Sequence, residues 1–103
     1  MRPMERPGLD RAILSEARLA IVALLRRAGG PVDFSTLREE LSLSGGNLGS
    51  HLRALQTAGV LTSWREAPLG RTRTLYVLTP EGRTRVRAHA RALRRVAEWL
   101  DDP

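Results

Sequence analysis

Ala17, Ala20, Ile21, Leu24, Leu25 and Ala28 recur at three- and four-residue intervals, the spacing that lines one face of a helix. Ser15 supplies an N-cap hydroxyl ahead of them, and Gly29-Gly30-Pro31 ends the run. Leu19, Val22 and Ala23 fall outside the stripe, so this helix is apolar almost all round and is expected to be covered on two sides. The preceding stretch, Leu9 to Leu14, reads as a short helical segment of its own. Val32 to Phe34 is too short for an independent strand and suits an added sheet edge. Ser35 then caps a second helix through Leu41, with Phe34 and Leu37 turned to the core in the manner of a hydrophobic staple.

A third helix is predicted from a Ser44 cap to about Ala58, stopped by Gly59. At about 100° per residue, Leu48, Leu52 and Leu55 form one narrow stripe. Gly46, Ser50, Arg53 and Thr57 then lie on the opposite face, with Asn47 and Ala54 beside them. Val60 to Glu66 and Arg73 to Leu78 are rich in β-branched and aromatic residues and flank the turn-forming Ala67 to Thr72, which predicts a hairpin with a basic tip. Thr79-Pro80-Glu81 opens a last helix that runs to about Leu100. Met1 to Gly8 has no apolar period and reads as a flexible arm, its Arg2 and Arg6 either following a phosphate track or simply solvated. The expected fold is α+β, mainly α: a three-helix core, a two-stranded hairpin and a long C-terminal helix within residues 9–103.

Composition narrows the function. A chain of 103 residues forms one small core, and pairing with a second copy would cover more apolar surface. Its 17 basic residues outnumber the 11 acidic ones, for a net charge of +6, and every one of them is Arg. GC-rich coding accounts for that bias better than selection for guanidinium chemistry does. Either way, each basic side chain is a planar fork that grips phosphate or a guanine edge through two hydrogen bonds. A polyanion is the natural partner. The absence of Cys removes disulfides, thiolate nucleophiles and thiolate-bound metals. The longest apolar run, Leu19 to Leu25, is too short to span a bilayer, and the first residues lack the apolar centre of a signal peptide. The expected setting is the cytoplasm, on the nucleoid, with no membrane partner.

Three helices, a hairpin and a long helix are the layout of a winged helix-turn-helix domain. The segment from Ser44-Gly45-Gly46-Asn47-Leu48 through Ser50, Leu52, Arg53 and Leu55 to Gly59-Val60-Leu61 resembles the recognition helix and following strand of bacterial ArsR-like and MarR-like regulators. Thr79-Pro80-Glu81-Gly82-Arg83 is similar to the MarR-like sequence that follows the wing, and the likeness covers nearly all of Leu9 to Leu100. It implies a homodimer that sets two recognition helices in successive major grooves of double-stranded DNA, with the wings on flanking backbone and repression as the default action. The residue types of the third helix support the DNA-facing part independently: Gly46 permits close approach, Asn47 pairs with adenine, Arg53 with guanine or phosphate, and the hydroxyls of Ser44, Ser50 and Thr57 with phosphate. The two glycines could instead serve only the turn. Each costs up to about 1 kcal/mol relative to Ala inside a helix.

Arg65, Arg71 and Arg73 cluster on or beside the hairpin tip, as phosphate or minor-groove contacts or as solubilising charge. In the last helix Val86, His89, Leu93, Val96 and Leu100 recur at heptad spacing, with Trp99 near the end. Val86, Leu93, Val96, Trp99 and Leu100 are the candidate dimer interface, the alternative being that this helix folds back on its own domain. His51 reads as a packing or hydrogen-bonding residue, and His89 as an ordinary packed histidine, the alternative being that it tunes pairing with pH. No triad or paired-carboxylate arrangement can be assembled, so no catalytic residue is assigned. A lone His89 with scattered acids is a poor zinc set, so neither metal nor cofactor is expected. A small-molecule effector between dimer helices remains open. The alternative function is a winged-helix interaction module whose basic surface meets an acidic protein.

Overall fold

The computed structural model describes residues 5–103. Helix α1 spans Glu16–Ala28 and is capped by Ser15, whose hydroxyl accepts from the Arg18 amide. Gly29, at φ 68, closes it in the left-handed conformation. A two-residue strand, β1 (Val32–Asp33), leads into α2 (Phe34–Leu41), and a tight turn through Ser42 and Leu43 leads into α3 (Gly45–Thr57). The hairpin is β2 (Leu61–Glu66) and β3 (Arg73–Leu78), and α4 covers Pro80–Asp101. The sheet is antiparallel in the order β1-β3-β2, so the expected third edge is present, with Val32 opposite Tyr76.

Two local expectations need correction. The second helix is capped by Asp33, whose carboxylate accepts from the Thr36 amide at 2.8 Å, and not by Ser35, which lies inside the first turn. Pairing of Val32 and Asp33 with β3 holds Asp33 extended, which is the backbone a cap requires. Leu9 to Leu14 is not a helical segment: Arg11–Ile13 is a single turn. There the Asp10 carboxylate takes the Ala12 amide at 3.0 Å and the Asp10 carbonyl takes the Ile13 amide, a local arrangement that competes with helix. Of the arm, Arg2 lies outside the described residues, and the Pro7 carbonyl accepts from Arg95 of α4 at 2.7 Å.

One core joins these elements. Ile13, Ile21, Val22 and Leu25 pack with Leu37 of α2, with Leu48, Leu52 and Leu55 of α3, and with Val32, Val60, Leu61 and Leu78. Burying each such side chain is worth about 1.5–3 kcal/mol. The end of α3 is fixed by a Schellman motif: the Val60 amide donates to Leu55 and the Gly59 amide to Gln56, both at 3.0 Å, with Gly59 at φ 79. Helix α4 starts beside that motif. The Thr79 hydroxyl accepts from the Gly82 amide at 2.8 Å and donates to the Gly59 carbonyl at 2.6 Å, while the Thr79 amide donates to the Val60 carbonyl at 3.1 Å. Further along α4, Arg85 forms a forked pair with Asp10 at 2.8 and 3.0 Å and also donates to the Ala58 carbonyl, joining the N-terminal turn, α3 and α4.

Candidate nucleic-acid interface

The leucine row of α3 faces inward: Leu48, Leu52 and Leu55 are fully buried. Its opposite face, Gly46, Asn47, Ser50, Arg53 and Thr57, is exposed. Ser44 caps the helix, accepting from the Asn47 amide at 3.2 Å, so its side chain holds the first turn in shape. Neither Gly45 nor Gly46 has positive φ, and a methyl group on either would meet nothing within 4 Å. The chain's own turn and packing therefore do not call for glycine at these positions. What the two glycines leave is an open helix N-terminus with free amide groups, a surface that favours an approaching phosphate. At Gly49 a methyl group would stand 3.4 Å from the Arg53 guanidinium, a contact that this exposed side chain can accommodate.

The helix is braced on both sides. Arg18 of α1 donates to His51 Nδ1 at 3.1 Å and to the Ala12 carbonyl at 3.3 Å, so His51 is a structural hydrogen-bond acceptor as its position in the sequence suggested. Ser63 of β2 donates to the Gln56 side chain at 2.8 Å, tying the end of α3 to the hairpin.

Strand alternation sorts the three wing arginines. Ser63 stands opposite Tyr76 and Arg65 opposite Thr74, which puts Arg65 on the sheet face that also carries Tyr76 and meets α3. Burial pushes the Tyr76 hydroxyl above its ordinary pKa, and the nearby charges of Arg53 and Arg65 oppose that rise. Arg53 of α3 and Arg65 of β2 thus both act on Tyr76 from different elements. Arg73 is on the other face, with Trp64, Glu66 and Leu75, where it pairs with Glu66 at 3.2 Å. Hydrogen bonds from Trp64 and then Arg73 hold the Glu66 carboxyl below the usual carboxylate range. Arg71 is exposed at the hairpin tip.

Several partners escaped sequence reading. Tyr76 and Gln56 have no motif of their own, and the Arg85–Asp10 pair joins residues 75 positions apart. His89 is 2% exposed and lies within its own chain, accepting from the Asp10 amide through Nδ1 at 2.8 Å. Desolvation lowers its pKa, with the Asp10 carboxylate opposing. Positive charge alone would not have located the interface, because α4 also carries Arg83, Arg87, Arg91, Arg94 and Arg95. Of the expected dimer residues, Val86 packs against the chain's own core, Leu93 and Val96 are half-buried, and Trp99 and Leu100 are 37% and 80% exposed. No helix is long and apolar enough to cross a membrane, and no group of three metal-ligating side chains gathers among the described residues.

A helix-turn-helix whose second helix turns a polar face outward, followed by a hairpin carrying arginine beside it, defines a winged-helix DNA-binding domain. The chain belongs to that family: the family model described as winged helix DNA-binding domain matches residues 17–97. Its members are DNA-binding regulators and not enzymes. A transcriptional regulator homologue from Pyrococcus horikoshii is 29% identical with a TM-score of 0.78, over 90% of this chain and 91% of that one. An uncharacterized protein of Methanocaldococcus jannaschii is 35% identical over 69 residues, 67% of this chain and 74% of its own length. A structure from Enterococcus faecalis described as a MarR-family regulator shares the fold at 24% identity and a TM-score of 0.65, over 87% of this chain and 76% of that one.

Proposed function

We propose that the protein is a sequence-specific transcriptional regulator, acting as a homodimeric repressor on the nucleoid, with α3 in the major groove and the hairpin on the flanking backbone or minor groove. The observation that carries this reading is the exposed row Gly46, Asn47, Ser50, Arg53 and Thr57, opening on a helix N-terminus that glycine leaves clear. In this reading Asn47 and Arg53 read base edges or phosphate, Ser44, Ser50 and Thr57 contact phosphate, and Arg65 and Arg71 extend the contact onto the wing. Arg73, paired with Glu66, is the least available of the set.

The dimer is assigned to α4. Trp99 and Leu100 are exposed near the end of α4, and Leu93 borders a groove of about 380 Å³ between α1 and α4, lined by Leu19, Val22, Val86 and Ala90 together with four arginines. A second copy's helix end supplies the apolar surface that fits there, with Val96 continuing the stripe. Trp99→Ser with Leu100→Ser should sediment as a monomer at concentrations where the unmodified protein is a dimer. Sedimentation of the unmodified protein as a monomer at micromolar concentration removes this part of the reading.

The functional test is mobility shift on duplex DNA. Affinity of the intact protein should fall roughly 10³- to 10⁵-fold between about 50 and 200 mM salt if the dimer neutralises about six to ten phosphates. Arg53→Ala and Arg71→Ala should weaken binding with the dimer intact. Failure of the unmodified protein to bind duplex DNA would favour an acidic protein as the partner of the basic surface.

A further inference from the structure

The tip of the wing is a four-residue turn, Pro68 to Arg71, closed by the Arg71 amide donating to the Pro68 carbonyl at 3.1 Å. Both central residues have positive φ, Leu69 at 53 and Gly70 at 80, the pattern of a type I′ turn. The first central position of such a turn favours Asn, Asp or Gly, because a longer side chain crowds its own backbone in the left-handed region. This chain has leucine there. Among the described residues only Ser42 shares positive φ outside glycine. Leu69 is also fully exposed, at 104% of its reference area, so it gives nothing to the core in return. An unfavourable backbone and an apolar side chain held in water are two separate costs to the free protein.

We propose that Leu69 is a wedge for the DNA minor groove, a role that rests on the reading of this domain as a duplex-binding regulator. The turn projects the side chain from the end of the hairpin, with Arg71 next to it and Arg65 further back on β2. Those guanidinium groups draw the tip onto a phosphate-walled groove, and the leucine meets the apolar sugar edges and base step inside. An apolar side chain inserted there unstacks the step in part and bends the duplex, which favours flexible pyrimidine–purine steps beside the half-site. Leu69 thus adds sequence preference through deformability at positions the recognition helix does not reach.

Leu69→Asn tests this, because Asn suits the backbone and lacks the apolar side chain. The probe is a duplex recovered by the intact protein from a random pool, carrying dyes at its two ends to report bending. The variant should unfold at the same or a higher temperature, bind the duplex about tenfold or more weakly, and leave it straighter. Leu69→Met should retain both affinity and bend. Unchanged affinity and bend in Leu69→Asn would overturn the wedge and leave the regulator reading standing. A lowered unfolding temperature would overturn it too, since leucine would then be serving the fold. If the intact protein recovers no duplex from the pool, both readings fall.

Discussion

Gly82→Ala exchanges the poorest ordinary helix former for the best one inside α4, a change that stabilises most helices by about 1 kcal/mol. Here the sign should reverse. A methyl group on Gly82 would overlap the Val60 carbonyl oxygen, stand 2.7 Å from its carbon and lie 3.1 Å from the Thr79 hydroxyl. Backbone cannot rotate aside as a side chain tip can, so α4 must lift from the Schellman turn that ends α3. That movement stretches the Thr79 amide and hydroxyl bonds to Val60, at 3.1 and 3.2 Å. Overpacking costs about 1–3 kcal/mol, and the weakened hydrogen bonds add about 1 kcal/mol each. After the gain in helix propensity, the net loss is about 2–4 kcal/mol, centred near 3. For a domain of this size that lowers Tm by roughly 12–24 °C. Thermal unfolding followed by circular dichroism measures it, and Gly46→Ala is the control: with open space around it, that change should raise Tm by a few degrees. A Gly82→Ala protein with unchanged or higher Tm would refute the close approach of α4 to Val60 on which the placement of α4 beside α3 depends.

Arg65→Ala should weaken duplex binding by about 1 kcal/mol and make its salt slope shallower, whereas Arg73→Ala should change it little, because Arg73 pairs with Glu66 on the opposite sheet face; fluorescence anisotropy across a salt series compares them. His89 has a pKa below its ordinary 6.5, because its burial outweighs the opposing charge of the Asp10 carboxylate. The unfolded chain therefore takes up a proton below about pH 6.5 that the folded chain refuses. Stability should be full above that pH and fall on acidification, at up to about 1.4 kcal/mol per pH unit, until the folded value is reached. Urea unfolding across pH should show this slope in the intact protein and a flatter one in His89→Gln. At still lower pH, protonation of Asp10, whose pKa is lowered chiefly by Arg85, removes a second contribution.

Elements governed by local periodicity were readable from the chain. The Leu48, Leu52 and Leu55 row, the Ser44 cap and the glycine stop at Gly59 need only neighbours within a turn or two, and each occurs where the pattern placed it. The cap of α2 was misplaced because Asp33 and Ser35 are both good acceptors, and a strand 40 residues away decides between them by holding Asp33 extended. The fate of Leu9 to Leu14 likewise depends on Asp10, which is drawn to Arg85 and His89 of α4 by contacts no short window contains. Within the candidate interface, the outward side chains of α3 were legible from helix geometry alone. The separation of Arg65 from Arg73 was not, because it depends on the β2–β3 register that sets Glu66 opposite Arg73.

Amide chemical-shift mapping of the protein titrated with duplex DNA probes the outward face of α3 residue by residue. The largest changes should fall on Gly45 through Ser50, on Arg53 and Thr57, and on Arg65 through Arg71 of the wing, and they should diminish as salt is raised. Changes confined to the arginines of α4, with α3 and the wing unmoved, would contradict the assignment of that face to DNA.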